Sequence, residues 1–337
     1  MRRFAWIFVF VCAGPLAAQE ESWVGKMVIT KNYKVKLKRE DKDGKLALFK
    51  ESADSINYRV LEEKGSLIRI MTAFGVDGWI EKTEVVTPDK AIQHFTDVLK
   101  NNPRDACAYQ RRAYAHEHAG DYDSALKDIN ETVHLAFGDM ARWNSRGILH
   151  CARKEYDHAI RDLSVAIRFA PALGSAYCNR GYAWTMKKEY DKAINDFDNA
   201  ILLEPMEPFG YTNRGLAYFL KKQYAEAHAD FDKAQKLDPS NPYAYLNRAR
   251  LYATSLDRKQ RDGKKALELA KKALSLEKNP EPIFFETLAT AFAEVGAFDE
   301  AIRAQQRVLD DPRARLDPMA QRRMDLYLKK TPFRQFD

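Results

Sequence analysis

Histidine is the residue type in this chain that first suggests catalysis or a metal site, and the sequence contains 7 of them. His116 and His118 flank Glu117. Side chains two positions apart point to different sides of a helix, so the triplet lacks the geometry of the His-Glu-x-x-His pattern of zinc proteases. We therefore predict no metal ligands there.

His116 and His150 occupy a position that is aromatic in later segments, where Trp184, Tyr218 and Tyr252 stand. A histidine in such a series is most simply a packed substitute for an aromatic ring. The chain has no Gly-x-x-x-x-Gly-Lys or Gly-x-Gly-x-x-Gly segment to hold a phosphate, and no cysteine has a histidine at a spacing that indicates activation. We predict that the protein is not an enzyme, with no catalytic residue, no cofactor and no metal.

Composition is that of a globular protein, with 45% apolar and 31% charged residues among 337. This length allows about two domains. The formal net charge is +7, but the basic residues are spread along the chain without a long run. Nucleic-acid binding is therefore not predicted.

Residues 1–19 have the pattern of a secretory signal peptide. Two arginines precede an apolar run over residues 4–11, and small residues up to Ala18 follow. The run is shorter than the roughly 20 residues that a membrane-spanning helix needs. We expect cleavage near Ala18, no stable membrane span afterwards, and a periplasmic or secreted protein. A protein tethered to the membrane by an uncleaved segment is the alternative.

Three cysteines remain after such cleavage, and they are Cys107, Cys151 and Cys178. Exported proteins often contain disulfides, but these three stand among the small apolar residues of predicted helices and show no Cys-x-x-Cys spacing. We predict buried thiols, and leave open a bridge between one pair.

Residues 22–87 predict a small all-β barrel. Leu37 lies between lysines, and Ile68 and Ile70 repeat the alternation, which is the two-residue period of half-buried strands. Turn-forming residues divide the segment into about five short strands, a number that fits a small closed barrel.

One pattern is written three times at a spacing of 34 residues between residues 140 and 241. Its sets are Trp143, Tyr177 and Tyr211; Gly147, Gly181 and Gly215; Tyr156, Tyr190 and Tyr224; Ala159, Ala193 and Ala227; Ala166, Ala200 and Ala234; and Pro171, Pro205 and Pro239. This order of small, aromatic and proline positions is typical of stacked helical hairpins, whose apolar faces are buried only against their neighbours.

These residues resemble the tetratricopeptide repeat in the variety that carries Asn-Arg-Gly, here at 179–181 and 213–215. The resemblance implies a mainly α fold, an α-solenoid of helix-turn-helix repeats. It also implies that the first helix of each repeat lines a concave surface that holds peptides or partner helices.

The chain is expected to divide as follows: a signal peptide at 1–19, a β-barrel at 22–87, a lone helix that opens the solenoid at 88–105, a repeat array at 106–315 and a C-terminal capping helix and tail at 316–337. The repeats span about 106–139, 140–173, 174–207, 208–241, 242–280 and 282–315. About five residues are inserted within 255–264, between the two helices of the fifth repeat.

Residues 78–86 resemble the last strands of bacterial SH3-like domains, and residues 58–60 resemble the central strand that precedes them. Such domains in exported proteins bind cell-wall peptides or other proteins. A structural role, in which the barrel only caps the first helix of the array, is an equal alternative.

The whole combination resembles a group of exported bacterial proteins of planctomycete type, with a signal segment, an SH3-like domain and a tetratricopeptide array. The Trp-Val-Gly-Lys start at 23–26 and the stretches 261–266 and 331–334 also fit this group. The likeness implies architecture and compartment only.

Charged pairs recur within the repeats, because Arg112, Arg146, Arg180 and Arg214 each have an aspartate 16 residues later. We predict a partly buried ion pair between the two helices of each of these repeats. In the fifth repeat Arg248 faces Leu269, and Glu268 is the nearest substitute.

Carried over by position, the resemblance gives a binding groove. Its predicted lining residues are Tyr114, Asn144, Ile148, Cys151, Cys178, Tyr182, Phe209, Thr212, Leu216, Phe219, Tyr243, Leu246 and Arg250. The trough is mainly apolar and aromatic, which suits a peptide with hydrophobic anchors. Asn179, Asn213 and Asn247 match one position of carboxylate-binding repeats, but the accompanying lysines are missing, so a carboxylate clamp is not expected.

We therefore predict an exported adaptor or scaffold that binds a protein or peptide segment in the concave groove. The alternative is a cell-wall binding module in which the SH3-like domain binds peptidoglycan peptides and the repeats recruit envelope enzymes.

Overall fold

The computed structural model describes residues 22–31, 35–40, 45–52, 57–71, 77–312, 314 and 317–334. The predicted signal peptide and residues 335–337 of the predicted tail lie outside this part. The chain forms two compact units, divided after Thr132.

The first unit contains an antiparallel sheet. Its strands are β1 (Met27–Thr30), β2 (Val35–Glu40), β3 (Leu46–Ser52), β4 (Asn57–Lys64), β5 (Leu67–Met71), β6 (Asp77–Glu81) and β7 (Val85–Val86). They are ordered β3-β2-β6-β5-β4-β1-β7. The predicted alternation of residues 68 and 70 is confirmed, because Ile68 and Ile70 are buried with Leu37 and Ile80 in the core of the sheet.

Three helices follow, namely α1 (Pro88–Asn101), α2 (Ala106–His118) and α3 (Tyr122–Leu135), which begins in the first unit. Helix α1 packs on the sheet, since Ala91 and Phe95 share one apolar cluster with Ile29 and Val86. The buried side chain of Arg111 also donates from Nε to the backbone oxygen of Thr30, at 2.8 Å. The sheet and the first two helices thus share a core.

The second unit is helical. Its helices are α4 (Met140–Ala152), α5 (Tyr156–Phe169), α6 (Gly174–Met186), α7 (Tyr190–Leu203), α8 (Pro208–Leu220), α9 (Tyr224–Leu237), α10 (Pro242–Thr254), α11 (Gly263–Leu276), α12 (Pro282–Glu294), α13 (Phe298–Asp310) and α14 (Pro318–Leu328). Among the described residues no helix has the length and apolar character needed to span a bilayer.

Each hairpin is closed by a residue in the left-handed conformation. Lys154, Lys188 and Lys222 have φ values of 62°, 63° and 66° in three successive turns, where Gly120 and Gly296 serve in two others. A non-glycine residue pays a steric cost in this region, so the packing of the paired helices must hold these turns.

Glycine permits the close contact inside a pair. A Cβ on Gly181 would lie 2.7 Å from Cε1 of Phe197, and one on Gly215 would lie 2.8 Å from Cε1 of Phe231. The 34-residue glycine period therefore reflects one packing contact that is repeated in consecutive hairpins.

The predicted ion pairs are confirmed. The Nε and Nη2 atoms of Arg180 donate to Asp196 at 2.8 and 2.7 Å, and the Arg112–Asp128, Arg146–Asp162 and Arg214–Asp230 pairs have the same fork.

In the fifth repeat the expected substitute, Glu268, is wrong. Arg248 instead binds Asp232, on the second helix of the preceding repeat, at 2.5 Å. The reason is that an arginine at this position lies between two second helices, and the aspartate that follows it in other repeats is absent here.

The inserted segment is fastened to α12. It contains a short 3-10 turn (Arg258–Gln260), and Nε of Arg261 lies 3.1 Å from Glu294. Arg334, near the end of the described chain, approaches the other oxygen of the same carboxylate at 2.7 Å.

Candidate binding surface

Helices α4, α6, α8 and α10 present one row of equivalent side chains, each 34 residues from the next: Ile148, Tyr182, Leu216 and Arg250. Ile148 and Tyr182 are exposed to 36% and 37%, and Phe209 at the start of α8 is exposed to 56%. Apolar side chains are buried in most proteins, so an exposed series of this kind marks a candidate contact surface.

Five other predicted residues of the second unit are half-buried: Asn144, Cys178, Leu216, Tyr243 and Arg250. Neighbouring first helices hold several of them together. Asn144 accepts a hydrogen bond from Nδ2 of Asn179 at 3.1 Å, and the Nδ2 of Asn213 lies 3.6 Å from Sγ of Cys178.

Three predicted lining residues require correction. Thr212, Phe219 and Leu246 are buried and do not line an accessible surface. Phe219 packs against Ala227 and other members of an apolar cluster, because its position on α8 points at the second helix of its own hairpin. The hydroxyl of Thr212 instead donates to the backbone oxygen of Pro208, at 2.9 Å.

Another predicted residue, Tyr114, lies on α2 in the first unit. It is half-buried against the apolar cluster that contains Phe95. It therefore belongs to the packing of α1 and α2.

A pocket of about 280 Å³ lies between α4 and α6, lined by Ile148, Cys151, Ala152, Asn179 and Tyr182. None of these side chains is charged, and the small side chain of Ala152 leaves room beside the ring of Tyr182. Sequence reasoning did not select Ala152, because an alanine at this place gives no signal in a helix that is rich in alanine.

Burial sets the chemistry of this pocket. It raises the pKa of the Cys151 thiol to about 11 and that of the Tyr182 phenol to about 12. Both groups are therefore neutral at physiological pH, and Cys151 lacks the thiolate that a nucleophile needs. Cys107, Cys151 and Cys178 are all free thiols. The pocket can offer apolar contact and hydrogen bonds.

Comparison with known families agrees with this geometry. Residues 174–206 and 208–241 match the tetratricopeptide repeat family, and residues 88–136 match a second family of tetratricopeptide repeats. The helical part of the chain is a tetratricopeptide repeat solenoid. Solenoids of this class act as protein-interaction scaffolds, because stacked hairpins present an extended surface.

Solved structures support the fold. A tetratricopeptide repeat protein from Parabacteroides merdae is 14% identical, with a TM-score of 0.59 over 72% of this chain and 92% of its own. A thermophilic protein of the same class from Thermus thermophilus is 21% identical, with a TM-score of 0.50 over 57% of this chain and 100% of its own. No curated protein matches the sequence.

Proposed function

We propose that the protein is an exported adaptor whose tetratricopeptide repeats bind a segment of a partner protein. The pocket between α4 and α6 receives one apolar side chain of that segment. Tyr182 forms one wall, and Phe209 extends the apolar surface toward α8. The observation that carries the proposal is this uncharged pocket beside exposed apolar side chains.

The chemistry of the pocket selects its occupant. A charged side chain would lose its hydration there without gaining an ionic partner from the lining residues. An aliphatic or aromatic side chain loses only contact with water, and such buried anchors supply most of the binding energy of interfaces. The partner is thus a segment with a neutral apolar anchor.

A carboxylate clamp is a poorer explanation of this surface. The amide of Asn179 is engaged with Asn144, and that of Asn213 donates to the backbone oxygen of Phe209 at 3.0 Å. Asn247 is buried. These three asparagines therefore have structural roles within the solenoid, as the sequence reasoning favoured.

Export and the SH3-like assignment belong to the proposal as well. Export rests on the signal-like residues 1–19. The packing of α1 on Ile29 and Val86 supports the capping role for the sheet over the cell-wall alternative, since this face of the sheet is used by the chain itself.

The experiment is affinity capture from an envelope extract with three forms of the mature protein. They are the native chain, an Ile148→Ser, Tyr182→Ser variant, and a matched control, Leu202→Ser, which changes a side chain exposed to 79% at the end of α7. Circular dichroism and thermal unfolding confirm that each variant is folded.

The proposal predicts a captured protein that the native and Leu202→Ser forms retain and the double variant loses. Overlapping peptides of that protein should then identify a segment whose binding is lost when its apolar anchor is changed to aspartate. Equal capture by all three forms would contradict the proposal.

A further inference from the structure

Three potential metal ligands meet at the turn between α4 and α5. His150 is the third-last residue of α4, Glu155 directly precedes α5, and His158 lies in its first turn. One ligand atom from each residue lies within 4.8 Å of the others. The Nδ1 atom of His150 is 2.7 Å from Oε2 of Glu155, and the two imidazole rings are stacked with centroids 5.1 Å apart.

A second layer of residues orients this group. The Nε2 atom of His150 lies 3.6 Å from Oδ2 of Asp162, and Asp162 is itself fixed by the forked contact with Arg146. On the other side, Nε of Arg153 donates to Oε1 of Glu155 at 2.8 Å. A histidine whose second nitrogen faces a carboxylate is the usual arrangement at protein metal sites, because the carboxylate fixes the tautomer and raises the basicity of the ligand.

The equivalent positions of neighbouring repeats carry no such set. For His150, Glu155 and His158, the third repeat has Trp184, Glu189 and Lys192, and the fourth has Tyr218, Gln223 and Glu226. Packing requires only an aromatic ring at the first position. It does not explain a second histidine that is exposed to solvent and stacked on the first.

We propose that Nδ1 of His150, Oε2 of Glu155 and a ring nitrogen of His158 bind one zinc ion. Two imidazoles and one carboxylate are a ligand set that zinc accepts, at distances of about 2.0–2.2 Å. Glu155 stays oriented by Arg153 through its other oxygen, and His158, being exposed, can turn its ring toward the ion. Water completes the coordination on the solvent side.

The ion would clamp the end of α4 to the start of α5. Cys151, a lining residue of the apolar pocket, directly follows His150 in α4, so the clamp also fixes one wall of that pocket. The proposal departs from the expectation of no metal, which considered only closely spaced histidines. The other two ligands lie five and eight residues after His150 and converge on it because the chain reverses at Lys154.

The test is a zinc titration of the tag-free mature protein, freed of metal with a chelator and followed with a chromophoric competitor. The native chain should bind one zinc ion. His158→Ala should weaken binding by at least about 10-fold, as loss of groups around metal sites does. The matched control is His134→Ala, which removes an exposed histidine of α3 outside the cluster, and it should bind as the native chain does.

Thermal unfolding gives a second readout. A ligand that binds only the folded state stabilises it, so zinc should raise the Tm of the native and His134→Ala proteins and leave that of His158→Ala unchanged. His158→Gln should behave like His158→Ala, since the amide replaces the ring without adding a charge. Zinc binding of equal affinity in the native and both His158 variants, or no binding to the native chain, would overturn the proposal.

Discussion

Arg214 is held between two aspartates that come from consecutive repeats. Its Nε and Nη2 atoms donate to Asp230, on the second helix of its own hairpin, at 2.8 and 2.7 Å. Its Nη1 atom donates to Asp198, on the second helix of the preceding hairpin, at 2.6 Å. The hydrogen bonds of Asp230 raise the pKa of Arg214. One guanidinium therefore joins three helices.

The same arginine position should be sensitive to loss of its aspartate. In Asp196→Ala, Arg180 keeps the hydrogen bond to Ser164 but loses its buried carboxylate. Leaving one member of a buried ion pair without its partner costs about 3–5 kcal/mol. We expect a loss at the lower end of this range, because the Arg180 side chain is one-fifth exposed. Urea unfolding measures it.

Asp191→Ala is the control for that prediction. It removes the pair of Asp191 with Lys221, whose aspartate side chain is 83% exposed, and should cost less than about 1 kcal/mol. Similar losses in the two variants would show that the buried fork has no special role.

Gly181→Ala should destabilise the third repeat. The added Cβ would stand 2.7 Å from the ring of Phe197, and overpacking of this kind costs about 1–3 kcal/mol. Gly138→Ala is the control, since its added Cβ meets nothing within 4 Å. The free energies of unfolding of the two variants, measured in urea, decide the matter. An unchanged Gly181→Ala protein would mean that the paired helices separate without cost.

Acid should weaken the sheet through Glu63. This carboxylate accepts a hydrogen bond from Nζ of Lys82 at 2.6 Å and another from the backbone of Trp23 at 2.9 Å. The Lys82 bond is the main cause of a pKa below the ordinary 4.5. Because the folded state favours the ionised form, Glu63 stabilises the fold above pH 4.5, and this contribution is lost as the pH falls through the lowered pKa.

The corresponding measurement is unfolding of Glu63→Gln at a series of pH values from neutral down to about pH 3, below the ordinary carboxyl pKa. The variant should be less stable than the native chain at neutral pH, and the difference should shrink as the solution is acidified. Glu62→Gln, which removes a carboxylate 3.6 Å from Arg69, serves for comparison. A difference that stays constant over this range would contradict the role of Glu63.

Cys151 should react slowly with alkylating reagents in the folded protein. With its pKa raised to about 11, only on the order of one thiol in a thousand is ionised at about pH 8, and the thiolate is the reactive form. Mass spectrometry of peptides after timed alkylation gives the rate, with urea-unfolded protein as reference. Equal rates in the folded and unfolded protein would show that burial does not govern this thiol.

The period of the sequence was sufficient for the fold, because a hairpin that repeats its glycine, alanine and arginine positions has one way to pack on its neighbours. The Arg180–Asp196 contact could be predicted for the same reason. The partner of Arg248 could not, since its choice between the preceding and the following aspartate depends on which side chains are present in each repeat.

The candidate site was predicted less well. A position that lines the groove differs from one in the core by a rotation of the helix that sequence spacing does not resolve, so Tyr182 proved exposed and Phe219 buried. The cluster of His150, Glu155 and His158 was missed because its members belong to different elements and meet only across a turn.

The central claim is that the first helices of the repeats form the binding surface. Its most direct test places a photo-crosslinking amino acid at Ile148 in one protein and at Leu202 in another, each incubated with envelope extract and irradiated. The account predicts a crosslinked partner from position 148 and none from position 202, with the crosslink at 148 reduced by Tyr182→Ser. Crosslinking from position 202 alone, or from position 148 with no effect of Tyr182→Ser, would contradict it.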